Sequence, residues 1–182
     1  MLEIVIPDRE LYDDKKQEFL TIKGQVLQLE HSLVSLSKWE AKWELPFLGK
    51  GDKSEEQIRD YIRCMTITQN VKPSVYSFMT DDIFAQIREY IDAPMTATWF
   101  PEVPGTPKSR RIITAEIIYY WMIAQNVPWE CQKWHLNRLL TLLRVCGIEN
   151  APKEKSKMSK AEMLAQRRRL NDIRRAQYNT KG

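Results

Sequence analysis

Residues 130–146 read ECQKWHLNRLLTLLRVC. The stretch holds one of the two histidines in the chain and two of its three cysteines, so it is either a chemical site or a helix that packs. On a helical wheel Lys133, Asn137, Thr141 and Arg144 gather in one narrow arc and nearly everything else is apolar. Cys131, His135, Leu139, Leu142 and Cys146 fall in the middle of the apolar face. A structural zinc site needs four ligands, and a catalytic one needs three plus water. Cys131 and His135 lie one turn apart, but Cys146 sits about 22 Å further along the axis at ~1.5 Å per residue. Only Cys64 and His31 remain as Cys or His ligands, with no C-x-x-C or H-E-x-x-H in the chain. A thiol facing a core also lacks the electropositive, exposed setting that activates a nucleophile. The stretch therefore reads as an interior helix, ended by Gly147, in which Cys131 and His135 are structural. No catalytic, metal-binding or cofactor-binding residue is assigned.

Arg138 is the oddity on this helix. A guanidinium inside the apolar arc needs a carboxylate or an escape at the edge of the face. Glu116 is the first candidate partner and Glu130 the second, with a role in fixing helix register. Glu116 belongs to the preceding helix, AEIIYYWMIAQ (115–125), which Thr114 caps and Asn126 and Pro128 end. That helix is apolar on nearly every side, the composition of a helix in the middle of a bundle.

Three more helices lie upstream. Ser32 caps the first, in which Leu33, Leu36, Trp39 and Trp43 share a face opposite Lys38 and Lys42. Ser54 opens the second, and the pattern SEEQ is a capping box followed by the stripe Ile58, Tyr61, Ile62, Met65. Thr80 begins the third, with Asp81 and Asp82 in its first turn. Residues 93–109 carry four prolines and a glycine and read as a loop anchored by Trp99 and Phe100. At the N-terminus LEIVI (2–6) and QVLQL (25–29) read as short strands of one small hairpin.

The fold class is therefore mainly α: a bundle of about five helices with a small N-terminal β element and a basic C-terminal helical tail. Residues 1–150 form the globular domain, with the β hairpin in 1–30, and 151–182 form a linker and tail helix. Residues 151–182 hold ten Lys and Arg against three Asp and Glu, net +7, so a total of +4 leaves the first 150 residues at −3. The tail helix (160–177) has only a thin apolar stripe, Met163, Leu170 and Ile173. Its Arg167, Arg168, Arg169, Arg174 and Arg175 are the strongest charge feature and suit an acidic protein or a nucleic acid. No run approaches 18 apolar residues and no signal-peptide pattern is present, which points to a cytosolic protein and no membrane partner. The odd cysteine count argues against a disulfide framework. With six glycines and no phosphate-binding or nucleophile-elbow motif, the chain does not read as an enzyme. Six tryptophans are many for 182 residues, and Trp39, Trp43, Trp99 and Phe100 are candidates for a partner groove.

LQLEHSLVSLSKWEAKWELPFL (27–48), YIRCMT (61–66), PMTATWF (94–100), IITAEIIYYWMIAQNVPWECQKWHLNRLLTLLRVC (112–146) and the ending RRAQYNTKG resemble a family. It is the tail assembly chaperones of long-tailed bacteriophages, encoded beside the tape-measure gene. The resemblance implies a non-enzymatic protein that binds the tape-measure protein, keeps it soluble and helps tail tube protein assemble around it. It implies action in the host cell cytoplasm and absence from the mature virion. A homo-oligomer is left open. The alternatives are a structural tail or connector component and a nucleic-acid-binding module using the basic tail.

Overall fold

The computed structural model describes residues 1–13, 17–100, 111–151 and 160–178. The chain divides into two units, residues 1–149 and 150–182. The fold is mainly α with a small antiparallel β element, as the periodicities predict.

Strands β1 (Leu2–Ile6) and β4 (Gln25–Leu29) pair antiparallel, with Ile4 opposite Leu27 and Val5 opposite Val26. Alternation does the rest: Ile4, Ile6, Leu27 and Leu29 are buried while Val5 and Val26 face outward. The expected single hairpin is interrupted. β2 (Arg9–Asp13) and β3 (Glu18–Ile22) form a second antiparallel ladder beyond the two predicted strands. The break falls at Pro7, which has no N–H for a ladder. Opposite it, Gly24 donates to the Asp8 carboxylate, and a side chain at Gly24 would meet the Ile6 carbonyl at 2.9 Å.

Helices α1 (Leu33–Trp43) and α2 (Glu55–Met65) follow, each with a capping box. Ser54 Oγ accepts from the Gln57 amide and Gln57 Oε1 accepts from the Ser54 amide at 2.9 Å, as the SEEQ pattern predicts. A short α3 (Ser74–Ser77), not among the predicted helices, precedes α4 (Asp81–Asp92). Then come α5 (Ala115–Ala124), a 3-10 turn over Trp129–Lys133, and α6 (Leu136–Glu149). The second unit contains α7 (Lys160–Tyr178). No described helix is long and apolar enough to cross a membrane.

Helix α1 is the wall between two cores. Trp39 joins Ile4, Ile6, Leu27, Leu29, Ile62, Met65 and Ile87 on the sheet side. Leu33 and Leu36 join Ala115, Ile118, Met122, Leu136 and Leu139 on the other. The chain just after β4 laces these parts together. The Glu30 amide donates to the Met65 carbonyl at the end of α2, and the Leu136 amide of α6 donates to the His31 carbonyl at 2.7 Å.

Candidate functional site

The stretch 130–146 packs, but not as one continuous helix. Cys131 lies on the 3-10 turn and His135 on the residue before α6, so the two do not share a helical face. Helix α6 also runs through Gly147 to Glu149; a lone glycine costs about 1 kcal/mol in a helix and does not stop it without a left-handed cap. Asn137, expected on the solvent arc, instead donates its side-chain amide to the carbonyls of Ile91 and Ala93.

His135 has both ring nitrogens engaged. Nδ1 accepts from the Asn137 amide, capping α6, so Nε2 carries the proton and donates to the Tyr90 carbonyl at 2.9 Å. The His31 ring stands edge-on to it at 5.1 Å, and His31 Nδ1 lies 2.6 Å from the Tyr61 hydroxyl. Burial, and then the neighbouring His135, push the His31 pKa down to about 4. Burial also lowers His135, against the Tyr90 carbonyl and Glu30, which raise it. This pair is a packed, neutral hub joining β4, α2, α4 and α6. Burial raises the thiols of Cys64 and Cys131, which keeps them protonated. Among the described residues no cluster of three His, Cys, Asp or Glu could hold a metal ion.

Of the two outcomes expected for Arg138, it takes the escape at the edge and not the pairing with Glu116. It escapes to the surface, where its guanidinium lies over the Trp134 ring at 4.2 Å, and Glu116 is exposed. The cation–π contact and water supply what a buried carboxylate would have. The buried carboxylate is Glu40 on α1. One oxygen accepts from the Phe47 amide at 2.8 Å and the other from the Ala115 amide at 2.7 Å, across 75 residues of sequence. Glu40 thus caps α5 from another helix, and Thr114, the expected cap, makes no side-chain cap bond. Burial raises the Glu40 carboxyl, and the two amide bonds pull it back. Asp60 is the other buried acid. Burial alone would raise it, but bonds from Lys42, Arg63 and Trp43 hold it below its usual range.

The predicted contact residues separate. Trp39 is 1% exposed and bonds the Gln57 carbonyl through Nε1, so it belongs to the core and not to a partner groove. Trp43 is half-buried and tied to Asp60. Trp99 is 80% exposed and does not anchor its loop; Phe100 does, beneath the Arg144 guanidinium at 4.0 Å. Arg167, Arg168, Arg169, Arg174 and Arg175 are exposed on α7, as are Met163, Leu164, Leu170 and Ile173.

Two surfaces stand out instead. The first is the outer side of α5, which is not central to the bundle as its composition predicts. Ala115, Ile118 and Met122 face inward, while Tyr120 and Ile123 are 64% and 65% exposed. Tyr119 stacks on the exposed Trp129 at 5.1 Å and extends this apolar patch. The second is a groove of about 500 Å³ between α2 and α4, with Ile58, Phe84, Ile87 and Ile91 among its lining. Neither surface carries a nucleophile paired with a base, and both suit contact by apolar side chains. No protein-family model, curated protein or solved structure matches this chain.

Proposed function

We propose that this protein is a non-enzymatic tail assembly chaperone of a long-tailed bacteriophage. It holds the tape-measure protein in soluble form in the host cytoplasm, aids assembly of tail tube protein around it, and is absent from the finished virion. The resemblance of residues 27–48, 61–66, 94–100 and 112–146 to that family supports the reading. The observation that carries it is the outer side of α5, where Tyr120 and Ile123, three residues apart on one helix, stay exposed and Tyr119 stacks on the exposed Trp129. Burying one such side chain contributes roughly 1.5–3 kcal/mol, so a patch of this kind has value chiefly when a partner covers it. An aggregation-prone helical client has apolar side chains to bury there.

Co-expression tests the reading. The tape-measure protein is expected to stay soluble and co-purify with this chain, and to precipitate without it. A tape-measure protein equally soluble in both cases contradicts the proposal. A second reading draws on the exposed arginines of α7. If the protein acts on nucleic acid, affinity falls linearly on a log–log plot as salt rises, and removal of 153–182 abolishes binding.

A further inference from the structure

The α2–α4 groove is lined by both apolar and charged side chains, and the charges are not all spent within the protein. Ile58, Ile62, Phe84, Ile87 and Ile91 are among its apolar lining residues. Ile58 is more exposed than the other stripe residues of α2, because it opens onto this groove. Five charged residues also line it: Lys53, Glu55, Arg59, Asp81 and Arg88. Arg59 and Glu55 neutralise one another in an i,i+4 pair, and Arg59 is further held by the Tyr76 carbonyl and the Phe84 ring. Asp81 sits in the first turn of α4, where the helix dipole offsets part of its charge, so the lining keeps a net positive charge. Lys53 and Arg88 are left. Lys53 rests over the Phe47 ring at 4.8 Å, Arg88 is exposed, and neither makes an ion pair among the described residues.

We infer that this groove is a docking site for an acidic amphipathic helix of a partner protein. The partner's apolar side chains enter between α2 and α4, and its flanking carboxylates meet Lys53 and Arg88. A volume of about 500 Å³ accepts a few large side chains of one helical face. The two unpaired cations select the sign of the flanks. Like charge facing them is costly, which turns away basic helices. This site is distinct from the outer side of α5 and does not depend on the identity of the client.

The probe is a pair of synthetic helical peptides of about 18 residues, enough for i, i+3, i+4, i+7 anchors. Both carry Leu and Phe at those positions; one has Glu on the flanks and the other Lys. Fluorescence anisotropy with the full chain is expected to give at least about tenfold tighter binding of the Glu peptide, a gap that narrows as salt rises. Lys53→Glu/Arg88→Glu reverses the preference. Lys53→Gln/Arg88→Gln, a milder change at the groove mouth, brings the ratio close to one. Ile58→Asp weakens both peptides. No binding, equal binding of the two peptides, or an unchanged preference in the charge-reversed protein overturns the inference. So does protection on binding that falls on α5 instead of α2 and α4 in hydrogen exchange.

Discussion

Helices α2 and α5 are nearly equal in length and opposite in character. In α2 the buried residues are Tyr61, Ile62, Cys64 and Met65 with the ion-paired Asp60, while Glu55, Glu56 and Arg63 face water. In α5 nearly every residue is apolar, yet only Ala115, Ile118 and Met122 are buried. Periodicity reports where a helix meets water. When a helix is apolar all round, the sequence is silent about which side packs, and one side can remain for a partner. Their N-termini differ in the same way. Helix α2 is capped by its own Ser54 and Gln57, while α5 is capped by Glu40 from α1.

That contrast can be broken most forcefully on the inner side of α5. Ile118→Asp places a carboxylate in a fully closed core, and we expect loss of at least about 4 kcal/mol, enough to unfold the chain in a urea titration. Glu40→Ala leaves the buried Ala115 amide and the half-buried Phe47 amide without their acceptor. A loss of about 3 kcal/mol is expected in the same titration, far more than a surface glutamate would cost.

Acid should loosen the hub beside these helices. His31 is held at about 4 in the folded chain, against 6.5 for an ordinary histidine, so the unfolded chain binds the extra proton first. The hub's stability is complete above pH 6.5 and is lost as the pH falls toward 4. The loss is about 1.4 kcal/mol per unit and roughly 3 kcal/mol in all. His135, also lowered, adds in the same direction, and Glu40, whose carboxyl is raised, opposes it. Comparing the slope of stability against pH between wild type and His31→Gln isolates the histidine; the variant should be flatter over pH 4–6.5.

The capping contrast sets a smaller effect. Ser54→Ala should cost about 1 kcal/mol by removing one cap bond of α2, visible as a melting temperature lower by about 2–4 °C. Thr114→Ala, whose side chain makes no cap bond, should cost less.

Much of this architecture was legible in the sequence, and the misses share a cause. The two outer strands, four helix starts and the tail helix follow from alternation, 3.6-residue spacing and capping residues, all local signals. Glu40 escaped because its partners lie 7 and 75 residues away. The trace it leaves is an acid next to Trp39 on the apolar side of α1. For Arg138 the wheel leaves two outcomes open, a carboxylate partner or an escape at the edge, and only the packing beside Trp134 decides for the escape. The wheel through residues 131–146 assumed one helix, whereas the chain turns at Trp134 so that His135 can cap α6 and meet His31. The second ladder, β2 with β3, is built from RELYD and EFLTI, which mix charged and apolar residues without a strict two-residue alternation.

The central claim is that the outer side of α5 serves a partner and not the fold. Tyr120→Glu/Ile123→Glu tests it most directly, read as the fraction of tape-measure protein kept soluble on co-expression. We predict a variant within about 0.5 kcal/mol of wild type in stability, as expected for exposed positions, that leaves the tape-measure protein in the pellet. A folded variant that keeps the tape-measure protein as soluble as wild type does would contradict the account.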